Sequence, residues 1–154
     1  MTAVYITTLL LLSIYAILLA YYHRSFKQMP ENETIPSAFI PTTPITVLVP
    51  ARNEAANINS CIQSILAQHY PQALLQCIII DDHSEDDTAE MVKQITDPRL
   101  NLVSLEDELF TGTTNAYKKK AIETGISKAT GDLIVTTDAD CTAGPEWLRT
   151  IAYT

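Results

Sequence analysis

Basic residues are scarce in this chain of 154 residues: 10 Lys and Arg stand against 18 Asp and Glu, a net charge of −8. That deficit argues against nucleic acid as a partner, because binding a phosphate backbone calls for a basic surface. Glycine is scarcer still, with four in all. No Gly-x-Gly-x-x-Gly follows an apolar run and no P-loop is present, which argues against a conventional dinucleotide or NTPase phosphate site. The three cysteines, Cys61, Cys77 and Cys141, have neither paired nor metal-ligand spacing. Cys61 and Cys77 fall in apolar patterns and read as small core residues in a reducing compartment. Cys141 adjoins Asp140, and nothing nearby marks it as a nucleophile.

Charge of either sign is missing from residues 3 to 22, which are dominated by Leu, Ile, Ala and Tyr. Twenty helical residues span roughly 30 Å, the thickness of a hydrocarbon core. A cleaved signal peptide would carry a basic n-region and a small-residue cleavage site. Here no Lys or Arg precedes the apolar stretch, and Tyr21-Tyr22-His23-Arg24 follows it. Tyr5 and Tyr21-Tyr22 match an interfacial aromatic belt, and Arg24 and Lys27 place the downstream part in the cytoplasm by the positive-inside rule. Residues 1–23 are therefore expected to form a single-pass transmembrane anchor in the cell membrane. Residues 24–44 carry Pro30, Pro36, Pro41 and Pro44 and are expected to form an extended tether. The remaining residues, 45–154, suffice for one modest core.

Within them apolar runs alternate with helical patterns. Ile45–Val49 reads as a central strand ending at Pro50. Asn57 fits a helix N-cap, followed by Ile58, Cys61, Ile62, Ile65 and Leu66 at helical spacing, with Pro71 as the stop. Leu74–Ile80 is a second strand, closed by Asp81-Asp82. Thr88–Ile95 is a short helix with Met91, Val92 and Ile95 inward. Asn101–Leu105 is a third strand. Asn115–Lys128 is a helix burying Ala121, Ile122, Gly125 and Ile126, and Gly131 turns the chain into a strand over Leu133–Thr137. This order predicts an α/β fold, a mostly parallel sheet with helices on both faces and right-handed crossovers.

Ligands of such sheets sit outside the carboxyl ends of the strands. Three of those ends carry unusual residues: Pro50-Ala-Arg-Asn-Glu54, Asp81-Asp-His-Ser-Glu-Asp-Asp87 and Asp138-Ala-Asp140. In an extended segment, aspartates two apart point the same way. Two hard oxygen donors suit Mg²⁺ or Mn²⁺, which bind through one or two carboxylates together with substrate phosphates. The bland readings differ residue by residue. Glu54 can be a first-turn acid favoured by the helix dipole. Asp81 is a structural residue, capping with Ser84. Asp86 and Asp87 serve the next helix N-terminus. Lys118–Lys120 is a solvated charge run, His69 and His83 are incidental, and Trp147 is a packing residue.

The stretches Val47-Leu-Val-Pro-Ala-Arg-Asn-Glu54, Ile79-Ile-Asp-Asp-His-Ser-Glu-Asp-Asp-Thr88, Lys118-Lys-Lys-Ala-Ile-Glu-Thr-Gly-Ile126 and Asp138-Ala-Asp140, in this order, resemble family 2 glycosyltransferases of the GT-A, Rossmann-like fold. The resemblance covers residues 45 to about 148. It implies an inverting, metal-assisted enzyme of the cell envelope, taking a nucleotide-diphospho-sugar, a UDP-sugar by preference, to a lipid or glycan acceptor. Pro50 and Ala51 would then lie near the base or ribose and Glu54 would accept a ribose hydroxyl. Asp82 would accept the base imide N–H, and Lys118 would neutralise phosphate charge. Asp138 would face ribose or metal, and Asp140 would ligate the divalent ion. Family members continue into an acceptor half holding the catalytic base, which is expected beyond Thr154. The alternative is a non-catalytic nucleotide-sugar-binding remnant or subunit. A sugar nucleotidyltransferase ranks last, because Pro50–Glu54 lacks the Gly-rich loop of those enzymes.

Overall fold

The computed structural model describes residues 1–27, 35–105 and 114–153; the side chains of Ala3 and of residues 114–118 lie outside that description. The chain divides into two compact units, Met1–Pro36 and Ser37–Thr154.

The first unit is a helix, α1 (Thr2–Lys27), which runs four residues past the expected anchor boundary. Its 24-residue segment Val4–Lys27 is long and apolar enough to cross a membrane, and none of it is buried. At 1.5 Å per residue that segment is about 36 Å long, against roughly 30 Å of hydrocarbon. Three of the hydroxyls inside it are satisfied within the helix. Thr7 and Thr8 donate to the Val4 carbonyl and Ser13 to that of Leu9, at 2.8–2.9 Å. This removes the cost that an unpaired polar group incurs in lipid.

The second unit is a four-stranded sheet in the order β3-β2-β1-β4, every pair parallel. The strands are β1 (Ile45–Ala51), β2 (Leu75–Asp81), β3 (Leu100–Ser104) and β4 (Leu133–Thr136). The helices are α2 (Ile58–Leu66), α3 (Thr88–Lys93), α4 (Thr114–Lys128) and α5 (Trp147–Tyr153). Alternation along the strands sends side chains to two cores. Ile45, Val47, Val49, Cys77 and Ile79 pack with Ile58, Ile62, Ile65, Val92 and Leu148 from α2, α3 and α5. Leu48, Ile78 and Ile80 pack with Ala121 of α4 on the opposite face. The two crossovers β1-α2-β2 and β2-α3-β3 step one way across the sheet, and β3-α4-β4 steps back past β1. With right-handed crossovers that reversal requires α4 on the other face, as found.

Several local expectations change. Asn57 precedes α2 but makes no side-chain cap. The Glu54 carbonyl already accepts the N–H groups of Asn57 and Ile58 at 2.9 and 2.8 Å, so a turn supplies the first acceptor and the Asn57 amide is free to reach Glu54 Oε2 at 3.0 Å. Helix α2 ends at Leu66, five residues before Pro71, which instead opens a 3₁₀ turn, Gln72–Leu74. Ile126 is 50 % exposed. It lies about 100° round the helix from Gly125, the residue against the sheet, where an added Cβ would meet Ile80 Cδ1 at 3.0 Å and Leu48 Cδ2 at 3.1 Å.

The end of the expected tether is fastened to the folded unit rather than lying free. The Tyr70 hydroxyl donates to the Thr43 carbonyl at 2.6 Å, and Arg149 Nη2 donates to the carbonyls of Ser37 and Phe39 at 3.3 and 3.1 Å. The Phe39 and Tyr153 rings meet edge to face, centroids 5.1 Å apart. Residues 28–34 and the acidic knot Glu106-Asp107-Glu108 lie outside the described residues.

Candidate functional site

The parallel sheet brings every strand's carboxyl end to one edge. The chain reverses direction across the sheet between β1 and β4, a topological switch point where α/β folds open a crevice. Pro50 and Ala51 close β1, and Asp82 follows directly on β2. Asp138, Ala139 and Asp140 follow β4 after Thr137, whose N–H still pairs with the Leu48 carbonyl at 3.1 Å. Asp138 and Asp140 are exposed while Ala139 between them is buried, so the two carboxylates leave the turn on its solvent side. The Cys141 N–H closes that turn on the Asp138 carbonyl at 3.2 Å.

The thiol of Cys61 reports on the same region. Burial foremost, and then the negative charges of Cys141, Asp140 and Glu54, together push it up to about 11. Glu54 from the first loop and Asp140 from the last are therefore both within electrostatic reach of one thiol on α2. Cys61 Sγ also lies 3.7 Å from the Asp138 carbonyl oxygen.

The first two loops are interlocked. The Asn53 N–H donates to Ser84 Oγ at 3.0 Å, and Asn53 Oδ1 accepts the Glu85 N–H at 2.8 Å. The Glu54 N–H donates to Thr88 Oγ1 at 2.8 Å, and the Ala55 N–H donates to Asp86 Oδ2 at 3.1 Å. Asp86 Oδ1 accepts from the Thr88 N–H at 3.0 Å and from the Thr88 hydroxyl. The Thr88 hydroxyl foremost, and the backbone N–H groups of Ala55 and Thr88, hold the Asp86 carboxyl below its ordinary value. Asn53 and His83, both at φ 56°, are the residues other than glycine with positive φ among those described. Backbone strain of this kind persists where surrounding bonds over-determine it and gathers at functional loops.

Asp82 is 8 % exposed. Its N–H pairs with the Ala51 carbonyl at 2.9 Å, tying the two strand ends together, and its Oδ1 lies 2.9 Å from His83 Nδ1. His83 thus has a partner in the fold that its sequence neighbourhood did not announce. So does His69, whose Nδ1 lies 2.6 Å from Glu146 Oε1 across 77 residues of sequence. The expected Asp81–Ser84 cap is absent. Ser84 serves Asn53, and Asp81 Oδ1 is the buried side-chain polar atom without a hydrogen-bond partner among the described residues. Asp86, not Asp87, supplies the side-chain bond at the start of α3. Trp147 packs against the core, as a structural residue would. Lys118 lies on α4, with its side chain outside the described residues.

An open cleft lies at the opposite edge of the sheet. This cleft, at the amino ends of the strands, is lined by Leu75, Gln76, Arg99, Asn101 and Thr130 among others. Its guanidinium is committed to Asp97, at 2.7 and 2.9 Å, and to the Leu66 carbonyl, leaving it poorly suited to an anion. The candidate site lies at the other edge, where the carboxyl ends of the strands meet.

No group of three His, Cys, Asp or Glu that could hold a metal ion occurs among the described residues. What the turn offers is a pair of exposed carboxylates, with the Cys141 thiol donating to Asp140 Oδ1 at 3.5 Å. That pair fits a hard divalent ion sharing its coordination with substrate phosphates and water, and does not fit an all-protein cage.

Comparison with known proteins fixes the class. The model of the glycosyl transferase family 2 domain matches residues 46–153. The chain is 30 % identical over 106 residues to the glycosyltransferase AglE of Haloferax volcanii, covering 68 % of this chain and 33 % of AglE. Among solved structures, the mannosyltransferase PcManGT of Pyrobaculum calidifontis, in complex with GDP-Man and Mn²⁺, aligns with TM-score 0.67 and 28 % identity. That alignment covers 88 % of this chain and 39 % of that one. The glucosyl-3-phosphoglycerate synthase of Mycobacterium tuberculosis, in complex with Mn²⁺, UDP and phosphoglyceric acid, aligns with TM-score 0.53 and 28 % identity, covering 70 % and 37 %. The chain belongs to glycosyl transferase family 2, and its sheet is that of the GT-A fold. It spans about a third of the length of the relatives it matches.

The bonds by which Asn53, Ser84 and Thr88 fasten the loops together were not foreseen from the sequence. Only Asp86-Asp-Thr88 carries a local signal, an Asx turn closing on a hydroxyl. The Asn53 and Glu54 partners lie 31 to 34 residues away and leave none.

Proposed function

We propose that residues 45–154 form the donor-binding half of an inverting, metal-assisted glycosyltransferase. It moves sugar from a nucleotide-diphospho-sugar, a UDP-sugar by preference, to a lipid or glycan acceptor at the cytoplasmic face of the membrane, with α1 as the anchor. The observation that carries this reading is the placement of Glu54, Asp82 and the Asp138–Asp140 pair at the carboxyl ends of three adjacent parallel strands, flanking the switch point of a family 2 sheet.

Each group then has a task suited to its setting. Pro50 and Ala51 form the floor beside the base or ribose. Glu54, its backbone held by Thr88 and its Oε2 by the Asn57 amide, accepts a ribose hydroxyl. Asp82, already oriented by His83, accepts the imide N–H of the base, a charge-assisted contact. Asp140, with Asp138, would hold a Mg²⁺ or Mn²⁺ ion, and Lys118 would neutralise diphosphate charge. When bound, that ion supplies Lewis-acid stabilisation of the departing nucleoside diphosphate. Mn²⁺ beside UDP or GDP-Man in the solved relatives supports this assignment.

The test is base preference. Asp82→Asn removes the negative charge and exchanges one of the two acceptor oxygens for an NH₂ that only donates, so uridine diphosphate affinity should fall about tenfold or more while adenosine diphosphate affinity stays as it was. Unchanged discrimination between the two nucleotides would refute the Asp82 assignment.

A further inference from the structure

Between Asp140 and α5 the chain crosses Cys141–Pro145 without helix or strand. On the upstream side the aspartate turn is held by β4, a strand of four residues. Downstream, a single buried side chain gathers the chain. Gln68, just past α2 and 6 % exposed, donates from Nε2 to the Gly144 carbonyl at 2.8 Å and to the Ser64 carbonyl at 2.9 Å. Its Oε1 accepts the Leu148 N–H at 3.0 Å. Both amide hydrogens and the carbonyl are therefore used, two of the three bonds reaching the segment that follows the aspartates. Neighbours reinforce the same seam: the Ala143 N–H donates to Ser64 Oγ at 3.1 Å, and the His69 N–H donates to the Pro145 carbonyl at 2.8 Å. Leu148, fully buried, seats α5 against the core behind it.

We infer that Gln68 is a positioning residue for the Asp138–Asp140 turn: it fixes the downstream end of that turn against α2, so that the two carboxylates are held ready for a divalent ion. This rests on the metal-binding reading of the pair. Gln68 acts at a remove, through backbone groups of Gly144 and Leu148. The amide is required because the site asks for donors and an acceptor in one planar group, which neither Glu nor Leu supplies.

The experiment titrates the full chain in detergent micelles with uridine diphosphate, with and without Mn²⁺, by calorimetry. Glu in place of Gln68 keeps the shape and the acceptor for Leu148 but faces the Gly144 and Ser64 carbonyls with another acceptor. In Gln68→Glu the Mn²⁺-dependent gain in affinity should fall about tenfold, the lower end of what outer-shell partners of metal ligands contribute, since the link is indirect. Metal-free affinity should stay within about twofold, because Glu54 and Asp82 are held by other bonds. Should Gln68→Glu not fold, Ser64→Ala removes the Ala143 bond, together with the hydroxyl's own bond to the Cys61 carbonyl within α2, and should reduce the Mn²⁺-dependent gain about threefold. Equal losses with and without Mn²⁺ would overturn the positioning role. So would an unaltered Mn²⁺ dependence in a folded Gln68→Glu, or in Ser64→Ala should that be the variant tested, while Asp140→Ala abolishes it. Absence of any Mn²⁺ effect in the unsubstituted chain would overturn the reading of the aspartate pair itself, a separate and distinguishable failure.

Discussion

Replacing Thr88 by valine removes one hydroxyl from the seam between the first two loops and keeps the side chain's shape. Thr88 is fully buried. Its Oγ1 is the acceptor for the Glu54 N–H at 2.8 Å and the donor to Asp86. Valine leaves the Glu54 N–H without that acceptor in a half-buried loop. A buried donor left unsatisfied costs about 1–3 kcal/mol, and the partial exposure of Glu54 places the expected loss near 2 kcal/mol. For a folded unit of this size that corresponds to a fall of roughly 8 °C in Tm. The assay is thermal unfolding followed by the fluorescence of Trp147, the one tryptophan in the chain, which packs against the core of the same unit. Thr88→Ser keeps the hydroxyl and loses a methyl, so it should retain the wild-type affinity for uridine diphosphate, whereas valine should weaken it by freeing Glu54. A valine variant as stable as the parent, with nucleotide affinity intact, would refute the claim that this hydroxyl holds the loops together.

Gly131→Ala should cost about 3 kcal/mol, because the new Cβ would lie 2.5 Å from the Thr46 nitrogen and 2.7 Å from the Ile45 carbonyl carbon, backbone atoms that no rotamer change moves aside. Gly144→Ala, with nothing within 4 Å of the added atom, should stay within about 0.5 kcal/mol of the parent in the same melts. In a thiol-titration assay on the native chain one equivalent should react promptly, from exposed Cys141. The buried thiols of Cys61 and Cys77, pushed up to about 11 and about 12, should react only on unfolding; two fast equivalents would contradict the packing of α2. Acid should loosen the loop seam. The folded-state value of Asp86 lies below its ordinary one, so its contribution is fully present above the unfolded value near pH 4 and is lost as pH falls through the folded value. Tm should therefore decline below about pH 4, and Asp86→Asn should show a shallower decline; an identical acid profile in the variant would count against the seam.

The sheet was legible because β1 and β2 are buried on both faces, so Val47-Leu-Val49 and Ile78-Ile-Ile80 read as unbroken apolar runs between turn signals. The strand-end residues were legible for the same reason: once the order of strands and helices implies a parallel sheet, their carboxyl ends share an edge. Helix α5 went unread, since its seven residues carry little periodic signal and Leu148 is buried only by contact with sequence-distant elements. Ile126 was misplaced because helical periodicity gives an arc without saying where the sheet ends. The bonds that position the candidate site are long-range. Gln68 reaches Gly144 across 76 residues and Asn53 reaches Glu85 across 32, and a single sequence has no local pattern that encodes either partner.

The central claim is that Glu54, Asp82 and the Asp138–Asp140 pair serve one metal-assisted nucleotide-sugar site. It is tested most directly by calorimetric titration of the full chain with uridine diphosphate, with and without Mn²⁺, in the parent and in Asp140→Ala. Tighter binding with Mn²⁺ in the parent, abolished in Asp140→Ala while metal-free binding persists, is the result expected. Binding indifferent to Mn²⁺, or weakened equally by the substitution in both conditions, would contradict it.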